Sequence, residues 1–260
     1  MTDLTFNIET APGYQVLATV GKKILRPGGR SATKQLFEWA DFKPGETVLE
    51  LASSFGYSAI ALAKAYNVRV VGVEKNPESV DRARANIAAA GLASQVEIIQ
   101  GNIFHLDQIS EQFDYVLAEA ILTMQSPAGK AEILSGVRDR LKPGGTFLSH
   151  EVSVKSRETE IHHALSQVIR VNATPLSETD WLAACEAARL PVKQHQTRAM
   201  GLLNGRQLLQ DEGVINTTRI VWNILTNSQI RERVLAMRRV FQQYHSDLQC
   251  IILAAQRSDN

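Results

Sequence analysis

Thr47-Val48-Leu49-Glu50-Leu51-Ala52-Ser53-Ser54-Phe55-Gly56-Tyr57-Ser58 is the stretch that decides the fold. A short apolar run of strand type carries an acid near its end, passes through a tight turn of small residues and enters Ser58–Tyr66, rich in alanine and leucine at helical spacing. A strand, a small-residue turn and a helix N-terminus expose backbone N–H groups to a ligand with little steric obstruction. The turn Lys43-Pro44-Gly45 marks where the unit begins.

The alternation continues downstream. Val68–Val73 is a second, β-branched run that closes on Glu74. Asn76-Pro77-Glu78 supplies an N-cap, a first-turn proline and a first-turn acid to a helix that Gly91 terminates. Val96–Ile99 and Phe113–Ala118 read as strands three and four, Gly129–Leu141 as a helix, Lys142-Pro143-Gly144-Gly145 as a turn and Thr146–Ser149 as strand five. Strands alternating with helices predict an α/β fold with a doubly wound, mostly parallel sheet. Ser153–Ala173 reads as a polar helical stretch and Ser177–Ala188 as a helix capped by Ser177. Pro191–Thr197 and Leu248–Ala255 bring the expected sheet to seven strands. Residues 198–247 read as a helical insertion between the last two strands, either a cap over the site or an oligomer contact. Within it Ile230, Val234, Leu235, Val240, Phe241 and Tyr244 fit a helix facing a core. The expected organisation is one domain over 1–260, with a helical cap segment at 1–42 and a ligand-binding core at 43–151.

Composition narrows the classes. In 260 residues, 44% hydrophobic and 21% charged is the balance of a folded chain, and 28 basic against 27 acidic residues give no general attraction to nucleic acid. Apolar runs such as Ala59–Ala63 fall far short of a membrane span. Met1–Thr10 lacks a basic region followed by an apolar core, so a cytoplasmic location is expected rather than secretion. Cys185 and Cys250 are too few for a disulfide framework or a thiolate metal site.

In parallel sheets ligands bind beyond the carboxyl ends of the strands. There the chain offers the Ala52–Gly56 turn, then Glu74 with Lys75 beside it, whose carboxylate suits both hydroxyls of a ribose. Next comes Gly101-Asn102-Ile103, where an amide beside an apolar side chain suits an adenine edge and face.

With these residues in register, the segment from about 26 to 151 resembles the class I S-adenosylmethionine-dependent methyltransferases, of the broad group that includes ubiquinone-type and other small-molecule methylases. Glu50, Ala52, Ser54 and Gly56 occupy the places of the family's acid and alternating glycines. Glu74 resembles its ribose-binding acid, Asn102 stands where an aspartate usually faces the adenine amino group, and Leu141–Gly145 matches the turn before its fifth strand. Arg26-Pro27-Gly28-Gly29 followed by Thr33 resembles the segment that closes over the methionine part of the cofactor. The resemblance implies S-adenosyl-L-methionine as cofactor and S-adenosyl-L-homocysteine as product. It implies binding by Gly28, Gly29, Thr33, Glu50, Ala52, Ser54, Gly56, Glu74, Lys75, Asn102, Ile103 and Glu119. Only the last of the three glycine places is glycine; Ser54 either weakens binding or bonds the cofactor carboxylate. A dinucleotide dehydrogenase is the competing reading, but no G-x-G-x-x-G run follows the first strand.

Methyl transfer from a sulfonium needs alignment, desolvation and, for some nucleophiles, a base. Glu119 is the first candidate for that acid or base. His150 follows, with Glu151 beside it, although a strand-end histidine is commonly structural. The run after strand four has neither the Asn/Asp-Pro-Pro-Tyr pattern of base and glutamine methylases nor a cysteine. His162 and His163 are adjacent and point apart on a helix, so no metal site is expected. Tyr14 reads as a pocket cap or plain packing, and Trp181 and Trp222 as core or cap packing. Arg231, Arg233, Arg238 and Arg239 read as a solvated helix face in preference to an RNA-facing surface. Met200–Leu203 and Ile220–Leu225 suit a lid over a small, partly apolar acceptor. A small-molecule acceptor and a homodimer are therefore the partners expected, with no membrane and no nucleic acid. The rival function is a protein of the same fold that binds an adenosyl ligand or a partner without methylating, or an RNA methyltransferase.

Overall fold

The computed structural model describes residues 7–258. Its centre is an eight-stranded sheet. The strands are β1 (Thr47–Leu51), β2 (Arg69–Glu74), β3 (Val96–Gln100), β4 (Phe113–Glu119), β5 (Leu141–Val154), β6 (Leu176–Ser177), β7 (Val192–Ala199) and β8 (Leu248–Gln256). They lie in the order β3-β2-β1-β4-β5-β8-β7, with β6 paired to β5 off that path. Neighbours among β1 to β6 run parallel, and β8 lies antiparallel between β5 and β7. The helices are α1 (Gly13–Thr19), α2 (Gly29–Ala40), α3 (Tyr57–Tyr66), α4 (Pro77–Ala89), α5 (Pro127–Arg140), α6 (Glu158–Ile169), α7 (Glu178–Ala187), α8 (Gly205–Thr226) and α9 (Ser228–Gln243).

Alternation along each strand divides the core in two. Leu49, Leu51, Val71, Val116 and Phe147 pack with Ile133 of α5 and Trp181 of α7. Val48, Val70, Leu117 and Leu148 pack with Leu36 of α2, Leu62 of α3 and Val80 of α4. Glu50, Glu119 and His150 stand two residues from Val48, Leu117 and Leu148, so all three project to the α2 side near the carboxyl ends of their strands. Helix α4 follows its sequence signals: the Asn76 side chain accepts from Ser79 N at 2.9 Å, and Gly91 takes the left-handed conformation just beyond the helix.

Several boundaries differ from the sequence expectation. Strand β5 is much longer than Thr146–Ser149. It begins at Leu141, loops out through the expected Lys142–Gly145 turn where the register jumps from Phe113↔Leu141 to Tyr115↔Thr146, and continues to Val154. Ser153 and Val154 pair with Gln249 and Leu248, which keeps them extended and delays the expected Ser153–Ala173 helix to Glu158–Ile169. Strand β6, too short for a periodic signal, takes up the edge of β5 beyond β4 at Ser153↔Leu176. It raises the expected seven strands to eight.

The insertion between β7 and β8 consists of α8 and α9. Ile230, Val234 and Tyr244 are buried as expected, but Leu235 is exposed. Arg233 is buried instead of solvated and donates to Ala11 O at 2.8 Å. Trp181 is buried, whereas Trp222 stands in solvent.

Candidate cofactor and active site

The turn after β1 has one property the sequence conceals. Ala52, Ser54 and Gly56 have φ of +53°, +49° and +74°, so all three alternate places lie in the left-handed region. Glycine adopts that region freely, whereas a residue with a β-carbon is strained there by roughly 1–2 kcal/mol. The turn is held to β2: Ser53 N donates to Val73 O at 3.0 Å, and Ser54 N donates to Glu74 Oε2 at 2.8 Å. Asn76 N reaches the other Glu74 oxygen at 2.8 Å. Glu74 thus locks the turn directly, and each of its oxygens keeps acceptor capacity. Gly72 has no side chain because the Ser53 hydroxyl fills that space.

Lys75 is exposed beside Glu74, and the Asn102 side-chain oxygen accepts from Phe104 N at 3.2 Å, shaping the turn in which Ile103 is buried. Tyr14, 42% exposed on α1, ionises less readily than a free phenol, through partial burial and then the nearby Glu74 charge.

A polar cluster joins the ends of β1, β4 and β5 to residues 26–33. Glu119 and His150 are cross-strand neighbours. Glu119 accepts from Arg26 Nε at 2.8 Å, Thr33 Oγ1 at 2.5 Å and Ser58 Oγ at 3.1 Å, and Arg26 also donates to the Ser58 hydroxyl. Burial pushes the Glu119 carboxyl upward, but Arg26, His150 and Thr33 outweigh it and hold the group below the usual carboxylate range. Glu119 is therefore a fixed anion.

His150 is wholly buried. Its Nε2 accepts from Gly28 N at 3.0 Å, which places the proton of the neutral ring on Nδ1, 3.2 Å from Thr33 Oγ1. Burial lowers its pKa, with Glu119 opposing. Glu50 is different again: burial first and the Glu119 charge second raise it to about 7, and its Oε2 has no hydrogen-bond partner among the described residues.

Residues 22–30 form a strap across this cluster, and α8 grips its outer side. Asp211 Oδ1 accepts from Arg30 N at 2.7 Å, and the Asp211 carbonyl accepts from the Arg30 guanidinium. Glu212 Oε1 accepts from Lys23 N and Ile24 N at 2.8 and 2.9 Å. A β-carbon on Gly28 would come within 2.5 Å of Cys250 Sγ, and one on Gly29 within 2.5 Å of Asp211 Oδ2. These glycines let the strap pack closely against β8, β5 and α8.

Glu151 faces the other layer, accepting from Leu122 N and Thr123 N at 2.9 Å each, and supports the loop after β4. Arg26, Ser58 and Asp211 join the site beyond the residues expected from the sequence. An arginine fixed before Pro27-Gly28-Gly29 was the available signal; nothing marked Asp211.

A family model described as a methyltransferase domain matches residues 42–218. The chain belongs to that family, the class I S-adenosylmethionine-dependent methyltransferases. An uncharacterized protein of Haemophilus influenzae is 30% identical over 246 residues, covering 94% of this chain and 98% of its own. Two solved structures share the fold. One is the [4+2]-cyclase SpnF (TM-score 0.73, 15% identity, 95% of this chain and 93% of that one). The other is a SAM-dependent methyltransferase from Thiobacillus denitrificans in complex with S-adenosyl-L-homocysteine (TM-score 0.69, 15% identity, 93% and 96%).

Proposed function

We propose that this protein transfers the methyl group of S-adenosylmethionine to a small-molecule acceptor at the carboxyl edge of the sheet, beside the strap. The observation that carries the cofactor assignment is the buried Glu50 oxygen without a partner. A buried carboxylate oxygen left without a donor is costly, and the cofactor's cationic methionine end is a fitting counter-charge. The left-handed turn at Ala52–Gly56 would present backbone N–H groups to it, Glu74 would take the ribose hydroxyls on its remaining lone pairs, and Asn102 with Ile103 would meet the base. Bound there, S-adenosylmethionine supplies an electrophilic methyl group on a sulfonium.

Glu119, held as an anion, is a poor proton acceptor; its role is to hold Arg26 and Thr33 so that the strap excludes water. His150 serves the same end through Gly28, so both catalytic candidates from the sequence become positioning residues. The strap supports the small acceptor because it roofs the ends of β1, β4 and β5, where a folded protein or nucleic acid would need an open groove. The Ile220–Leu225 side chains do not line this lid: Ile220 packs inward with α1, and Val221, Trp222 and Leu225 face solvent.

Calorimetry with S-adenosylmethionine and S-adenosylhomocysteine tests the cofactor, and methyl-radiolabel transfer into small-molecule and macromolecular fractions of a cell extract tests the acceptor. Label confined to macromolecules would overturn the acceptor reading, and no binding of either cofactor form the whole. Glu74→Ala should weaken cofactor binding by roughly 1.5–3 kcal/mol for each charge-assisted bond lost, and unchanged affinity in a folded variant would remove Glu74 from the pocket.

A further inference from the structure

Helix α8 breaks at Gly213 (φ 73°, ψ 169°), and its second half is apolar on both faces. Ile220 is buried against α1 with Ile224 packed alongside, and Asn216 and Asn223 donate to Gly21 O and Val20 O at 3.1 Å each. The opposite face carries Val214, Ile215, Val221, Trp222 and Leu225, which are 69, 87, 43, 67 and 58% exposed. A helix that carries large apolar side chains on opposite faces is ordinarily covered on both. Contiguous apolar surface of this extent marks an interaction site in soluble proteins.

We propose that this face is the two-fold interface of a homodimer, with α8 packed antiparallel against α8 of a second copy. Two features select a second copy. Val214, Thr218, Val221 and Leu225 recur at spacings of four, three and four, a pattern that reads the same in both directions. An antiparallel copy therefore sets Val214 against Leu225 and Thr218 against Val221, as an isologous interface requires. The five apolar side chains leave on the order of 700 Å2 in water per copy, close to the roughly 800 Å2 that each partner contributes to a standard interface. Trp222 is the residue type most typical of an interface anchor. A membrane surface is the poorer match, because it favours an apolar face bordered by lysines and arginines, and Arg219 is the one charged residue of this half-helix.

Sedimentation and light scattering of the full chain between about 1 and 50 μM should give twice the 28.7 kDa chain mass. Ile215→Asp with Trp222→Asp should raise the dimer dissociation constant at least about 100-fold, leaving circular dichroism nearly unchanged because both side chains are exposed in the single copy. The milder Trp222→Ser keeps the test open if the double variant misfolds. Thr218→Cys with Val221→Cys should form a covalent dimer on mild oxidation, Cys185 and Cys250 being buried. A monomeric wild type would overturn the proposal, whether or not it binds phosphatidylglycerol vesicles. So would a dimer unaffected by the Asp substitutions and not crosslinked at 218 and 221.

Discussion

The turn after β1 and the strap over it meet at the same cluster, yet they are built in different ways. The turn is assembled from backbone within a short stretch plus one carboxylate, Glu74, from the neighbouring strand. The strap is held by side chains from β4, β5, α3 and α8: Glu119, His150, Ser58, Asp211 and Glu212. The turn stores strain in two β-carbons at left-handed φ, whereas the strap stores charge in a dry layer. Local backbone geometry tolerates single substitutions by small amounts, while a buried charge pair fails sharply when one member goes.

The sharpest break should come at Arg26→Ala, which leaves the buried Glu119 anion without its cation. Unfolding free energy should fall by about 3–5 kcal/mol, measured by denaturant titration, and Glu119→Gln in the same chain should restore most of it. Glu50→Gln should act in the opposite direction. The folded carboxyl, with a pKa of about 7, binds its proton more tightly than an unfolded glutamate at about 4.3. Its stabilising contribution is therefore present at low pH and lost as pH rises from about 4.3 through 7. Cofactor-free Glu50→Gln should thus be more stable than the wild type by on the order of 3 kcal/mol at pH 8 and by far less at pH 5, read from melting across pH. In the wild type, cofactor binding should strengthen from pH 6 to 8 with proton release, and the variant should lose that slope.

Asp211→Ala should cost about 1–3 kcal/mol and raise the KM for cofactor several-fold with little change in kcat, because it loosens the strap and leaves the turn intact. Equal loss in kcat would place Asp211 closer to the reacting atoms. The smallest effect belongs to the turn: Ala52→Gly relieves left-handed strain but adds unfolded-chain entropy, for a net gain of up to about 0.5 kcal/mol. A clear loss of stability there would show that the Ala52 methyl has a packing role.

The same contrast governs what could be read from the sequence. Strands β1 to β4, helix α4 and the turn were legible because period, caps and small residues act over a few positions. The far end of β5 was not, because Ser153 and Val154 are kept extended by β8, nearly a hundred residues away in sequence. Glu50, Glu74, Glu119 and His150 were found at strand ends, but their division of labour depends on burial and partners. Glu50 and Glu119 are both buried acids on one face of the sheet, and Arg26, bonded to Glu119, is what separates a neutral-range titration from a fixed charge. Trp222, expected as core or cap packing, and Leu235, expected on a core-facing helix, are both exposed, because hydrophobicity does not tell which side of a helix a neighbour will cover.

Strand β8 slots between β5 and β7, and its Cys250 lies under Gly28. During synthesis on the ribosome, the first four strands can pair long before that slot is filled, yet residues 26–30 must wait for Asp211 and Cys250 to emerge. The strap thus cannot close until those later residues are made, although its own residues are among the earliest translated, and a nascent chain lacking β8 would carry a formed turn without the strand that Gly28 packs on.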